Sequence, residues 1–147
     1  MINLHMCRAK TFDGVWVTGY VVFPSDPLPG WEAVIIPAKC DMFEGEAKHK
    51  LGFDNWYRVD KDTVCRFTGF NDMNGAYIWE NDIVRCVYDG EEHYYKVCWD
   101  SSELGFKATN GEENYGGNLQ YLTCCNEVQV VGNVFDDPWP VRKSRVF

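Results

Sequence analysis

A chain of 147 residues suits one domain, and its 46% hydrophobic and 16% aromatic content is too high for a disordered protein. Its formal net charge of −8 repels nucleic-acid phosphates, so non-specific binding to DNA or RNA is disfavoured. Seven cysteines without a CxxC pair fit neither a disulfide framework nor a zinc ribbon, and indicate reduced thiols in a cytosol.

The sequence shows no targeting or membrane segment. Its first ten residues lack the apolar stretch of about 7 to 15 residues that a signal peptide needs. No run approaches the roughly 18 apolar residues of a membrane span. We therefore expect a cytoplasmic protein that does not associate with membranes.

The N-terminal third predicts strands separated by a rigid loop. Asp13-Gly14, a hairpin-type dipeptide, precedes a predicted long strand at residues 15–23, with Gly19 as a site for a bend or bulge. Apolar side chains fall on both faces of this strand, as in a small barrel or a subunit contact. Three prolines make residues 24–30 a loop, and residues 33–36 predict a short edge strand before Pro37.

The densest pattern of strands and turns lies at residues 62–86. A strand at residues 65–70 is followed by Asn74-Gly75, the strongest hairpin signal in the chain, because both residues tolerate the positive φ of a type I′ turn. Residues 80–82 predict a sharp corner, at which Asn81 can adopt a left-handed conformation. The stretch therefore predicts a scaffold of consecutive antiparallel strands.

The remaining strands complete a meander. A polar turn at Asp89-Gly90 connects a strand at residues 83–88 to its partner at residues 94–99. Further strands are predicted at residues 104–108 and 128–131, on either side of a Gly- and Asn-rich loop. No amphipathic helix exceeds about three turns. The sequence thus predicts a mainly β fold, a small antiparallel barrel-like sheet with long loops and little helix.

A single domain is expected to cover residues 1–147. Residues 39–54 lose periodicity and predict a surface excursion, and residues 139–147 form a C-terminal tail. The tail carries the one evident basic patch, for which a solvated terminus is the favoured interpretation. Its basic residues are Arg142, Lys143 and Arg145.

Three elements carry a resemblance to a known family. A basic segment, an acidic-Gly turn and a Trp-x-x-Gly-Tyr strand lie within residues 8–20. A Val-Asp start, a Phe-Thr-Gly strand, an Asp-x-Asn-Gly hairpin and an acidic corner before Ile-Val lie within residues 59–85. A Glu-Val-x-Val-x-Gly-Asn strand followed by proline lies within residues 127–138. In this order, the elements resemble the YopX-like proteins of bacteriophages and prophages.

Two positions depart from the family pattern, which usually has glycine at both. Cys65 precedes the Phe-Thr-Gly strand, and Asn81 lies at the corner, where asparagine can replace glycine's positive φ. The resemblance implies a phage-encoded, mostly β protein of no established biochemical role. It supplies no catalytic, cofactor-binding or metal-binding residue.

Cysteines and histidines offer little evidence of a reactive site. The adjacent pair Cys124-Cys125 cannot supply two well-separated metal ligands, and a structural role is favoured. Cys86 or Cys98 with His93 could form a nucleophilic site, but buried cysteines in strands usually act as small hydrophobic residues. A zinc site would need ligands from at least three distant segments, because the histidines are scattered at His5, His49 and His93.

Two turns of the central stretch contain candidate site residues. Residues 72–75 are similar to part of a calcium loop, but Phe70 would occupy the first ligand position, so a turn is predicted. At the corner, Asp82 either accepts backbone amides or pairs with Arg85, and contact of Trp79 and Arg85 with a partner is the alternative. An exposed tryptophan would favour partner contact, because Trp and Arg dominate binding hot spots. The tryptophans in question are Trp31, Trp79 and Trp139.

Three functions follow from these observations, and the first is favoured. It is a non-enzymatic phage accessory protein that acts through protein contacts, as a homo-oligomer or with a protein partner. The second is single-stranded nucleic-acid binding through an aromatic sheet face and the basic tail, which the net charge opposes. The third is an enzyme with a thiol site. No cofactor is expected.

Overall fold

The structure, a computed structural model, describes residues 5–46, 50–110, 125 and 127–137. The chain divides into two units, residues 1–66 and 67–147. Both contain antiparallel strands, and among the described residues the helical content is a 3₁₀ turn at Lys61–Thr63. The prediction of a mainly β, antiparallel fold with little helix is confirmed. Over the same residues, no helix has the length and apolar character needed to cross a membrane.

The first unit contributes most strands of a six-stranded sheet in the order β6-β3-β2-β1-β7-β8, in which β8 (Tyr77–Trp79) belongs to the second unit. Strand β7 begins in the first unit with Cys65 and Arg66, which pair with β1, and continues into the second unit. The strands are β1 (Cys7–Lys10), β2 (Trp16–Val22), β3 (Val34–Pro37), β4 (Met42–Glu44), β5 (Leu51–Phe53), β6 (Tyr57–Arg58) and β7 (Cys65–Asn71).

This sheet curls around a small core. Thr11, just after β1, forms an isolated β-bridge with Val59, just after β6, although β1 and β6 lie far apart in the strand order. The Asp60 amide also donates to the Lys10 carbonyl at 2.8 Å. The curl is barrel-like, but the described ladders leave the sheet open. The buried core consists of Ala9, Ala33, Ile35 and Val59, with Val17, Val21 and Val64 packed against it.

The surface excursion expected at residues 39–54 contains regular structure that the sequence did not predict. Strands β4 and β5 pair as an antiparallel hairpin, and all three residues of β4 are exposed. Phe43 lies opposite Gly52, and its ring occupies the space that a side chain at residue 52 would need. The Phe43 ring therefore covers Gly52 across the hairpin.

The second unit contains a four-stranded antiparallel sheet in the order β11-β10-β9-β12. Its strands, together with the short β8, are β8 (Tyr77–Trp79), β9 (Asp82–Tyr88), β10 (Glu91–Asp100), β11 (Gly105–Thr109) and β12 (Glu127–Asn133). The consecutive strands β9, β10 and β11 form the predicted meander, whereas β12 pairs with β9 and not with β11. Alternate residues of each strand point to the same side of the sheet, and one of the two sides is buried. Its core consists of Ile78, Val84, Cys86, Tyr95, Val97 and Ala108.

The turn predicted at Asn74-Gly75 has a different geometry. Gly75 has a φ of 82°, but Asn74 does not have positive φ, so the type I′ prediction is wrong. The Asp72 amide instead donates to the Ala76 carbonyl at 2.8 Å, which makes a three-residue loop with a left-handed glycine. The two-residue turn with positive φ at both positions is Asp89-Gly90, at 51° and 75°, between β9 and β10.

Some sequence predictions are not tested by this structure. A division into two units does not show whether either unit folds alone, so the single domain over residues 1–147 stays a prediction. The C-terminal tail and its basic residues lie outside the described part of the chain. The same holds for His49, Cys124 and Trp139.

Candidate functional site

The corner between β8 and β9 is held by its own backbone. Asn81 has a φ of 69°, as predicted, and the Asp82 carboxylate accepts the Trp79 amide at 2.8 Å. Trp79 is only 6% exposed and lies beside Phe67, with 5.5 Å between ring centroids. The suggestion that Trp79 contacts a partner is therefore wrong, because its side chain is buried beside the rings of Phe67 and Tyr77.

Arg85 pairs across the sheet and not with Asp82. Its guanidinium contacts Glu92 of β10 at 2.7 Å and Glu127 of β12 at 3.1 Å. Side chains alternate along β9, so Arg85 and Asp82 point to opposite faces. Hydrogen bonds from Arg85 to Glu92 and then Glu127 raise the pKa of Arg85. These pairs link three strands, and half-exposed pairs of this kind add little stability.

Two cysteines lie opposite charged or titratable residues on neighbouring strands, but neither thiol is activated. Cys86 lies opposite His93 in the β9–β10 ladder, and Cys98 lies opposite Lys107 in the β10–β11 ladder. Burial, followed by the nearby Cys125, raises the pKa of Cys86 to about 12. Burial also raises the pKa of Cys98, although Lys107 acts in the other direction. Both thiols therefore stay protonated at neutral pH, which opposes nucleophilic use.

The Asp72 carboxylate is occupied by backbone amides. It accepts the amides of Asn74 at 2.8 Å and Ala76 at 2.9 Å within the turn. Its other oxygen accepts the Val130 amide of β12 at 2.9 Å. Burial would raise the pKa of Asp72, but the amides of Val130, Ala76 and Asn74 outweigh it, so the net shift is downward. Asp72 thus joins the hairpin to β12. In the described ranges, no group of three or more His, Cys, Asp or Glu residues could hold a metal.

The first unit exposes a cluster that the sequence did not predict, which we call the arginine clamp: Phe12, Trp31 and Arg58. The Arg58 guanidinium lies 4.7 Å from the Phe12 ring centroid and 5.7 Å from that of Trp31. All three side chains are exposed, Phe12 by 56% and Trp31 by 42%. Trp31 thus meets the condition that favoured partner contact.

Three separate chain segments build the arginine clamp. Phe12 follows β1, and the Thr11–Val59 bridge brings it beside Arg58 at the end of β6. Trp31 is positioned by a turn in which its amide donates to the Leu28 carbonyl at 2.9 Å. Gly30 in that turn has a φ of 83°, and a Cβ there would lie only 3.2 Å from the Arg58 guanidinium. Glycine therefore provides both the turn geometry and the space for Arg58.

The first unit contains a second group of cation–aromatic contacts. Arg8 and Lys10, on alternate positions of β1, lie 4.5 and 5.5 Å from the Trp16 ring centroid. Lys10 precedes Phe12 by two residues, so the two groups are neighbours along the chain. The first unit therefore holds three cations in contact with aromatic rings, divided between two groups.

Comparison with known proteins places the chain in a family. A sequence model of the YopX protein family matches residues 34–139. The chain belongs to the YopX family. The match confirms the family predicted from the motifs. It includes Arg58 of the clamp, whereas Phe12 and Trp31 precede the matched range.

A solved structure shares the fold of this YopX-family chain. It is the crystal structure of protein EF1440 from Enterococcus faecalis, with a TM-score of 0.60 and 15% sequence identity. The similarity covers 94% of this chain and 97% of that chain. No match was found among curated proteins. At such low identity, the likeness to EF1440 establishes the fold alone.

Charge is distributed unevenly along the YopX-family chain. Residues 1–66 contain nine acidic and eight basic residues, whereas residues 67–147 contain 13 acidic and six basic residues. The net charge of −8 therefore comes almost entirely from the second unit. The arginine clamp lies in a unit that is close to neutral.

One local signal could have indicated the clamp. Trp56, Tyr57 and Arg58 are consecutive, and basic and aromatic residues alternate near the N-terminus. Such mixtures are typical of binding hot spots. The signal does not show which ring meets which cation, because that depends on pairing between distant segments.

Proposed function

We propose that this YopX-family protein is a phage- or prophage-encoded accessory protein that acts through protein contacts in the cytoplasm of a bacterial host. We expect it to form a homo-oligomer and to have no enzymatic activity. The exposed arginine clamp is the observation that carries this proposal. Tryptophan and arginine, held together and accessible, are the residue types that contribute most to protein interfaces.

The apolar surface of the first unit supports the same proposal. Of 19 exposed large hydrophobic residues in the described part of the chain, 12 lie within residues 1–66. They include Val22 and Phe23 at the end of β2, and Met42 and Phe43 of the β4–β5 hairpin. Exposed apolar surface concentrated in one region is typical of interaction sites. A soluble protein that carries it gains stability by covering it with a partner.

Single-stranded nucleic-acid binding remains the second candidate, because Arg8 and Lys10 of β1 lie over the ring of Trp16, the first residue of β2. Base stacking and phosphate contacts use these residue types. Seven of the 12 exposed large hydrophobic residues in the described part of the first unit are aromatic, as base stacking requires, but the net charge of −8 acts against this candidate. The raised pKa values of Cys86 and Cys98 act against the third candidate, a thiol enzyme.

Self-association tests the proposal. We expect the unaltered protein to form oligomers at tens of micromolar, as measured by sedimentation velocity. The double variant Phe12→Ser and Trp31→Ser should associate more weakly by about thirtyfold at least, because losing a hot spot costs about 2 kcal/mol or more.

The matched control is Met73→Ser, which removes an exposed apolar side chain from the second unit and should leave association unchanged. An unaltered protein that stays monomeric at these concentrations would contradict the homo-oligomer. If that monomer also retarded single-stranded DNA or RNA at low salt, the second candidate would replace the first.

A further inference from the structure

We propose that Arg58, held between Phe12 and Trp31, receives a carboxylate from residues 67–147 of a second copy of this chain. The inference rests on the proposed function, since it names the partner and the chemistry of its contact. It makes association of the copies electrostatically directed and not purely apolar.

The clamp prepares Arg58 for a carboxylate. Rings whose centroids lie 4.7 and 5.7 Å from the guanidinium restrict where an otherwise flexible side chain can go. Ring contact uses the face of a guanidinium, so its N–H edge can still form two parallel bonds to a carboxylate. Because the side chain is already ordered, less conformational entropy is lost on binding. Such pre-organisation is what an interface arginine needs.

Contact between two identical clamps is disfavoured. Two copies that met clamp to clamp would bring the Arg58 guanidinium of one copy near the Arg58 guanidinium of the other. Like charges placed opposite each other across an interface cost free energy. The surface that Arg58 meets should instead carry negative charge.

The chain itself supplies that negative surface. Residues 67–147 contain 13 acidic residues against six basic ones. Several of these carboxylates are exposed in the second unit, and Glu91 has 78% of its side chain accessible. Residues 1–66 are close to charge balance and hold the clamp. Charge complementarity therefore favours contact between the clamp of one copy and the acidic residues of another.

A protein carboxylate fits this chain better than a nucleic-acid phosphate. A nucleic acid carries one negative charge per nucleotide, so the 22 acidic residues of this chain would repel a long strand at many points. A single carboxylate within an interface carries one charge and is accompanied by apolar surface. The exposed Phe12 and Trp31 rings of the clamp can bury such surface.

The experiment compares self-association of the unaltered protein, Arg58→Gln and Arg58→Lys by sedimentation velocity at low and high salt. We expect Arg58→Gln to associate about thirtyfold more weakly, as for loss of a hot-spot arginine. Arg58→Lys should be intermediate, since lysine keeps the charge but loses the planar fork. Association of the unaltered protein should weaken as salt rises, because the ion pair is screened.

The matched control is Lys61→Gln, which removes one exposed positive charge from the same unit, three residues from Arg58. It should leave association close to that of the unaltered protein. The thermal unfolding temperature of each variant shows whether the variant is folded. The salt series on the unaltered protein needs no variant, so a misfolded Arg58→Gln would not prevent the test.

Two results distinguish failure of this inference from failure of the proposed function. If Arg58→Gln associates as tightly as the unaltered protein or more tightly, and salt strengthens association by screening the charge of −8, then the contact is apolar. The inference would be wrong and self-association would stand. If the unaltered protein is monomeric at both salt concentrations, the proposed homo-oligomer itself is wrong.

Discussion

Replacing Gly19 by alanine is expected to destabilise the first unit by about 3 kcal/mol, the upper range for forcing extra atoms into a packed interior. Gly19 is buried in β2 between β1 and β3. A Cβ there would collide with the Ile36 carbonyl and lie 2.8 Å from the Pro37 Cα. These are backbone atoms of the neighbouring strand, so no side-chain movement relieves the collision. Urea unfolding followed by tryptophan fluorescence measures the loss.

Gly14→Ala provides the matched control for Gly19→Ala. Gly14 has a φ of 85° but open space around its Cβ position. Alanine there meets conformational strain alone, which costs about 1 kcal/mol. Equal stability of Gly19→Ala and the unaltered protein would show that the described β2–β3 pairing is wrong.

Replacing Asp72 by alanine is expected to destabilise the second unit by about 3 kcal/mol, because three backbone amides lose a charged acceptor. Two of these amides hold the turn before β8, and the third belongs to Val130 of β12. Asp72→Asn is the control, since its amide oxygen can keep the two turn contacts while the Val130 contact is lost. It should lie between Asp72→Ala and the unaltered protein in urea unfolding.

The Asp72 contribution should also depend on pH. The pKa of Asp72 is lowered in the folded protein relative to its ordinary value of 3.8. A lowered folded-state pKa gives stabilisation that is full above the unfolded value and is lost as the pH falls below it. The difference in unfolding free energy between the unaltered protein and Asp72→Asn should therefore be constant near neutral pH and shrink below about pH 4. A difference that stays constant into the acid range would contradict the charged contacts.

The strands of both units could be predicted because their signals are local. Alternating apolar residues, β-branched residues and turn dipeptides mark β2, β7, β9 and β12 without knowledge of their partners. The corner at Asn81 was predicted for the same reason, since positive φ is a property of the residue itself. Local conformation therefore explains most of what the sequence revealed.

Predictions that depended on distant atoms were less successful. Asn74-Gly75 is the stronger turn dipeptide, but it lies in a three-residue loop and not in a two-residue turn. The Asp72 carboxylate accepts hydrogen bonds both from this turn and from β12. Gly19 was expected to permit a bend or bulge, yet it pairs regularly with Cys7 and Pro37. Glycine is needed at residue 19 because the backbone of β3 approaches it closely. The sequence of β2 alone does not reveal that approach.

The candidate site required tertiary information for each of its parts. The sequence named Trp31 and Trp79 equally, but burial removed Trp79 and left Trp31 exposed. Phe12 and Arg58 meet because Thr11 bridges Val59 across the curled sheet. That pairing joins segments far apart in the chain, and no periodicity within either segment indicates it.

Association of two copies of this protein should cover the arginine clamp. Hydroxyl-radical footprinting of Phe12 and Trp31 at increasing protein concentration tests this expectation most directly. We expect modification of both side chains to fall as oligomers form, whereas modification of most of the chain should not change. Constant modification of Phe12 and Trp31 across the range in which oligomers form would contradict it.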